Sequence, residues 1–153
     1  MHAYNKSLTA TVYIVHGGKV LLHMHKKYNT WFPVGGHLEP DELPHVAAVR
    51  EAWEESGLEI TLIDASMAHP ALGRVEQIPS PFLICHEGIG HAEEFLDFIY
   101  AAVTEHPLPH SGDGESHTFK WFSPEELQDP TTDLKLHVRN TALACLAFVE
   151  QIR

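Results

Sequence analysis

Residues 35–60 read GGHLEPDELPHVAAVREAWEESGLEI, and their reading decides the fold. A glycine pair opens the stretch, and Arg50, Glu51, Glu54 and Glu55 crowd together near its end. Neighbouring carboxylates repel on a helix, so three in one turn require either bulk solvent or a cation. Pro44 suits the first turn of a helix, where its missing N–H costs nothing, and Gly57 suits the left-handed position just past a C-terminus. Together they predict a helix over 44–56. Leu43 stands at the capping position without a side chain that can cap, which leaves that task to Asp41.

At about 100° per residue, Glu51, Glu54 and Glu55 share one helical face while Val46, Val49 and Trp53 gather on the opposite one. The pattern predicts Val46, Val49 and Trp53 anchored in the core, with the acids turned out toward whatever the glycine loop holds. Three carboxylates form an all-oxygen donor set of the kind Mg²⁺ or Mn²⁺ prefers, and no nearby Cys or His spacing points to zinc. Glycine permits close backbone approach, so the Gly35 carbonyl is a candidate for completing the set. Arg50 is expected to fork onto a carboxylate such as Glu42, fixing the loop to the helix. The competing reading is a solvated acidic face, common among Glu-rich helices.

The flanks predict a mixed sheet. Leu8–Val15 and Val20–Met24 are β-rich runs either side of His16-Gly17-Gly18-Lys19, a hairpin signal. Pro33 keeps Trp31-Phe32-Pro33-Val34 extended. Further strands are expected at Leu58–Ile63, Phe82–Cys85, Glu94–Val103 and Phe119–Phe122. Ser123-Pro124-Glu125-Glu126 marks a short helix start. A last helix is expected from Leu134 to Ile152, with Val138, Cys145, Leu146, Val149 and Ile152 as its apolar stripe.

At 153 residues the chain has the size of one compact domain, expected here over residues 1–153. No apolar run reaches membrane-spanning length and the N-terminus does not read as a signal peptide, so a cytoplasmic location is expected. The formal net charge of -11 disfavours an extended nucleic-acid or anionic-membrane surface. An anionic substrate would therefore need a metal to join it to the protein. Cys85 and Cys145 sit in apolar contexts and read as buried free thiols.

Spacing separates the catalytic reading of the acids from the solvated one. From Gly36 the chain runs five residues to Glu42, then seven to Arg50-Glu51-Ala52-Trp53-Glu54-Glu55-Ser56-Gly57-Leu58. This resembles the signature of the Nudix hydrolases, G-x5-E-x7-R-E-U-x-E-E-x-G-U with U aliphatic, Ala52 being a small first U. Seven fixed letters at ordinary residue usage would coincide by chance about once in 10⁸ starting positions. The resemblance implies an α+β fold of the α/β/α sandwich type, a mixed sheet between helices. It also implies hydrolysis of a nucleoside diphosphate linked to another moiety, with Mg²⁺ or Mn²⁺ and an attacking water.

Carried onto this chain, the resemblance makes Glu51 and Glu55 metal ligands and Glu54 a ligand or the general base; Arg50 is assigned orientation more than catalysis. Glu115, or Asp113 in the same loop, is the candidate for a later carboxylate. Lys26 and Lys27 are candidates for a cation facing the phosphates, against a reading as solvated surface lysines. Tyr28, Trp31 and Phe82 either stack on a base or pack in the core. His37, with His23 and His25, is a candidate to line the phosphate cleft. Family members often carry Pro-Gly-Gly before the box, whereas Val34 here separates Pro33 from Gly35. The expected partner is a small nucleotide or diphosphate; homodimers are common in the family. A catalytically silent nucleotide sensor on the same fold is the alternative, although such sensors usually lose motif carboxylates and this chain keeps them all.

Overall fold

The computed structural model describes residues 6–25, 29–67, 73–110 and 118–152. Strands β1 (Lys6–His16) and β2 (Lys19–His25) form the hairpin, with Val15 opposite Val20 and both turn glycines at positive φ. β3 (Thr30–Phe32) pairs with β2, and β4 (Val34–His37) pairs with β1. Helix α1 spans Pro44–Ser56. β5 (Thr61–Ile63), β6 (Leu83–Glu87) and β7 (Glu94–Val103) follow, then β8 (Phe119–Phe122), the short helix α2 (Pro124–Gln128) and α3 (Leu136–Gln151).

The sheet is organised around β1 and β7, which run parallel from Lys6 opposite Glu94 to Val15 opposite Val103. The other pairings among the described strands are antiparallel. β1 shares its second edge between β4, along Thr9–Val12, and β2 at Val15–His16. β7 likewise shares its outer edge between β6 and β5. Burial on both faces explains the near-continuous apolar run of β1. With period two, Ala10, Val12 and Ile14 face α1, where they join Val34, Ala47, Ala48, Ala52 and Tyr100 in one core. Tyr13 and Val15 face α3 in a second core with Leu22, Ile99, Phe122, Val138 and Cys145. Helices on both faces of a mixed sheet make the expected α/β/α sandwich.

Several boundaries shift for local reasons. The strand expected from Leu58 begins only at Thr61, because the Leu58 N–H is taken by the Ser56 hydroxyl and the Glu59 carbonyl by Thr104 Oγ1. The strand expected at Phe82–Cys85 runs instead from Leu83 to Glu87, following the ladder with Phe95–Ile99 of β7. α3 starts at Leu136, and Ile152, past its end, is half exposed, outside the apolar stripe. Cys145 is buried, but Cys85 is only half-buried, since β6 is an edge strand; both are free thiols. Asp41 does not cap α1: no side chain caps it, and Asp41 instead takes a positive φ of 63° in the turn before it. At α2 the full capping box forms, Ser123 Oγ accepting from the Glu126 N–H and Glu126 Oε1 from the Ser123 N–H.

The larger correction concerns which face of α1 is buried. Val46, Val49 and Trp53 are 47, 43 and 54% exposed, whereas Ala47, Ala48, Ala52 and Ser56 are sealed. Small side chains let the helix axis sit close over β1 and β4, and that closeness pulls the flanking carboxylates down against the sheet. The Val-Trp stripe is thereby left on the outside.

Candidate active site

α1 and β4 assemble the site between them. Gly57 ends the helix in a left-handed conformation at φ 68°, its N–H bonded to the Trp53 carbonyl at 2.8 Å. β4 is held flush to β1, Val34 opposite Val12 and Gly35 opposite Thr11, so the extra Val34 before the glycines serves as a buried strand residue. A Cβ on Gly35 would lie 2.5 Å from the Ala10 carbonyl oxygen, and one on Gly36 would lie 2.5 Å from Glu51 Oε1. The glycine pair is therefore required by contact: Gly35 by the neighbouring strand, Gly36 by the carboxylate that lies on it.

Arg50 uses all five of its N–H donors. Nε and Nη2 fork onto Glu42 at 2.8 and 2.9 Å, and Nη2 also reaches the His37 carbonyl at 3.2 Å. Nη1 donates to Glu51 Oε1 and Glu54 Oε2, both at 3.0 Å. The guanidinium hydrogen bonds hold the Glu42 carboxyl below the usual carboxylate range, and Glu42 in return pushes the Arg50 pKa up. Glu42 also accepts from the Glu39 N–H at 3.0 Å, closing the turn between β4 and α1.

The three box carboxylates differ in setting. Glu51 lies over Gly36 and is mostly buried; Glu54 is half exposed. Glu55 Oε1 accepts the Gly35 N–H at 3.0 Å, and its Oε2 lies 3.6 Å from His23 Nε2. His23, buried on β2, stacks at a tilt on Phe119 of β8 with centroids 6.2 Å apart. The histidine beside Glu55 has no spacing signal in the sequence, because only the sheet brings β2 to the end of α1. Oxygen donors on one rim, fixed by a cation and by backbone N–H groups, fit a hard divalent ion.

The remaining candidates scatter. His37 is exposed, 3.1 Å from Glu93 Oε1 and tilted over Phe95. Trp31 lies on the α3 side of the sheet, across from α1, its ring edge-on to Phe122 at 5.2 Å. Phe82 packs on that side too, against Phe148 at 5.0 Å. Lys26, Lys27, Tyr28, Asp113 and Glu115 lie outside the described residues, as does the side chain of His25.

A family model described as NUDIX domain matches residues 6–142. A hydrolase of the NUDIX family from Clostridium perfringens is 32% identical, superposes with a TM-score of 0.83, and the match covers 95% of this chain and 99% of that one. A MutT NUDIX hydrolase from Burkholderia pseudomallei shares the fold at 21% identity and TM-score 0.65, over 92% of this chain and 98% of that one. The m7GpppN-mRNA hydrolase NUDT17 of Bos taurus is 56% identical over 32 residues, 21% of this chain. That match spans only 11% of the curated relative's length. With the family model spanning nearly the whole chain and the box residues gathered on α1 and β4, the chain belongs to the Nudix family of hydrolases.

Proposed function

We propose that the chain is a Mg²⁺- or Mn²⁺-dependent pyrophosphohydrolase, cleaving a nucleoside diphosphate linked to another moiety by attack of water on phosphorus. The substrate classes are nucleoside triphosphates, ordinary or oxidised, ADP-ribose and nucleotide sugars. The observation that carries this reading is the seating of Glu51 on Gly36, with Glu54 and Glu55 beside it, Arg50 holding Glu51 and Glu54 and the Gly35 N–H holding Glu55. A merely solvated acidic face would have no need of a Cβ-free strand beneath it.

Glu51 and Glu55 are assigned as metal ligands, Glu54 as ligand or general base, and the Gly35 carbonyl as a further donor. Bound there, the ion would supply positive charge to the phosphate oxygens and acidify a water. Arg50 orients two of the carboxylates and neutralises part of their repulsion, while the Gly35 N–H and His23 set the rotation of Glu55. With a net charge of -11, these residues by themselves repel a pyrophosphate, so productive binding depends on the cation. Lys26, Lys27 and His37 are assigned to the phosphate side, and Glu115 to a later carboxylate; the Trp31 indole packs on Phe122 in the opposite core.

The test is a panel of such diphosphates with Mg²⁺ or Mn²⁺, phosphate or nucleotide release being followed for the parent and for Glu55→Gln. Turnover by the parent that falls by about 10³-fold or more in the variant supports the reading. Parental turnover in Glu55→Gln removes Glu55 from the site, and a panel without any turnover returns the sensor reading.

A further inference from the structure

On the face of the sheet turned away from α1, three metal-ligating side chains of different chemistry converge where β6 meets the start of α3. Cys85 and Glu87 are two apart on β6 and so point to the same side, toward α3. His137 comes from the first turn of α3. One donor atom from each, the Cys85 sulfur, a Glu87 oxygen and a His137 ring nitrogen, lies within 4.8 Å of the others. From this convergence we infer that Cys85, Glu87 and His137 form a second metal site, selective for a borderline ion such as Zn²⁺, that ties the edge strand β6 to α3.

Although the Glu87 carboxyl shares a side-chain hydrogen bond with Asp97, its Oε1 is sealed from solvent and accepts no hydrogen bond from any described residue. It nevertheless stands 3.2 Å from His137 Nε2, within ion-pair range but outside hydrogen-bond geometry. Two donor atoms around one tetrahedral zinc, each about 2.0–2.1 Å from it, are about 3.3 Å apart. An orphaned buried oxygen at that separation from an imidazole nitrogen is what a shared cation would account for. Buried polar atoms otherwise find partners, and leaving one unmade costs free energy. The access route is open, since His137 is half exposed at the helix start and Cys85 only half-buried.

Donor chemistry selects the ion. Thiolate, imidazole and carboxylate suit zinc, whereas Mg²⁺ and Mn²⁺ favour the oxygen set on α1. Asp97 supports the site from beneath: it is buried opposite Cys85 on β7, with its oxygens held by Thr9 and Thr11 hydroxyls at 2.9–3.0 Å. Its charge disfavours a free thiolate, and burial with Glu87 and Asp97 nearby pushes the Cys85 thiol up. A divalent ion held by the three side chains would displace the thiol proton to solvent. The fourth position falls to water or to a carboxylate oxygen. β6 gains most from such a tie, since its ladder partner among the described strands is β7 alone.

Co²⁺ titration of the chelator-dialysed full chain, with excess Mg²⁺ to saturate the oxygen site on α1, reads this directly. One equivalent of Co²⁺ should give a thiolate-to-cobalt charge-transfer band and tetrahedral d–d absorption, both displaced by Zn²⁺. Cys85→Ala should abolish the charge-transfer band, and His137→Ala, at an exposed helix start, should weaken Co²⁺ binding by at least about tenfold. Circular dichroism checks that each variant is folded, and the histidine variant keeps the test alive if the cysteine variant is not. Absence of the band in the parent, its survival in Cys85→Ala, or unchanged affinity in His137→Ala overturns the inference. None of these readouts involves hydrolysis, so they stand or fall apart from the activity proposed for α1.

Discussion

At the scale of single residues, the two glycines before α1 do different work although they are adjacent. A side chain at Gly35 would meet backbone, the Ala10 carbonyl at 2.5 Å, and backbone cannot move without opening the β1–β4 ladder. A side chain at Gly36 would meet first the Glu51 carboxylate, the end of a side chain that can swing aside at the expense of its Arg50 bond. Gly35→Ala should therefore cost about 1–3 kcal/mol of stability in urea denaturation. Gly36→Ala should leave the urea midpoint near the parent's while displacing the Glu51 carboxylate by about an ångström, lowering kcat by about 10²-fold. Equal effects of the two substitutions on stability would contradict this division. Arg50→Lys separates charge from shape at the same site. Lysine keeps the positive charge but cannot fork onto Glu42 while also bridging Glu51 and Glu54. Stability should fall by about 1.5–3 kcal/mol, measured by denaturation, because a largely buried Glu42 loses a charge-assisted pair.

At the scale of elements, the ends of α1 were legible and its buried face was not. Pro44 and Gly57 act through their own backbone chemistry, so their meaning is local and the helix runs between them as read. The choice of face depends on what the helix packs against. Counting Val46, Val49 and Trp53 as the anchor assumes that large apolar side chains go inward, but Ala47, Ala48, Ala52 and Ser56 allow a closer approach to β1 and β4. The contrast is measurable in one pair of variants. Val49→Lys, on the exposed face, should change stability by no more than about 0.5 kcal/mol. Ala48→Leu, on the sealed face, should cost about 1–3 kcal/mol by overpacking. The reverse ranking in chemical denaturation would restore the Val-Trp face to the core. Site residues divide the same way. The box residues stood out as candidates because their spacing is fixed along one helix; His23 stood out only as a cleft candidate, and its approach to Glu55, like that of Cys85 and Glu87 to His137, was not legible, since each group joins elements far apart in the chain.

At the scale of the molecule, carboxyls shifted in opposite directions coexist in the fold, and stability should respond to pH from both ends. Several carboxyls lie below their ordinary range: Glu42 through Arg50, Glu94 through Lys6 and His86, and Glu126, at about 2, through Lys120 and the Ser123 N–H. Each favours the folded state above its unfolded value, and that contribution disappears as pH falls through the folded one. Glu87, on the α3 side, runs the other way. Burial first, and then the charge of Asp97 with its hydrogen bond, raises Glu87 from 4.5 to about 8. Between those values the folded chain binds more proton than the unfolded chain, so this term falls away as pH rises from about 4.5 to about 8. Thermal melts in the presence of a chelator, which keeps any ion off Glu87, should therefore show Tm declining from mildly acid pH toward pH 8. Glu87→Gln, which cannot ionise, should flatten that decline while leaving the acid limb set by Glu42 and Glu126 unchanged. If the decline is as steep in Glu87→Gln as in the parent, the carboxyl pair beneath α3 does not govern the alkaline side. Added Zn²⁺ should raise the parent's Tm most near pH 8, where the ion replaces the proton between charges that the fold has buried together.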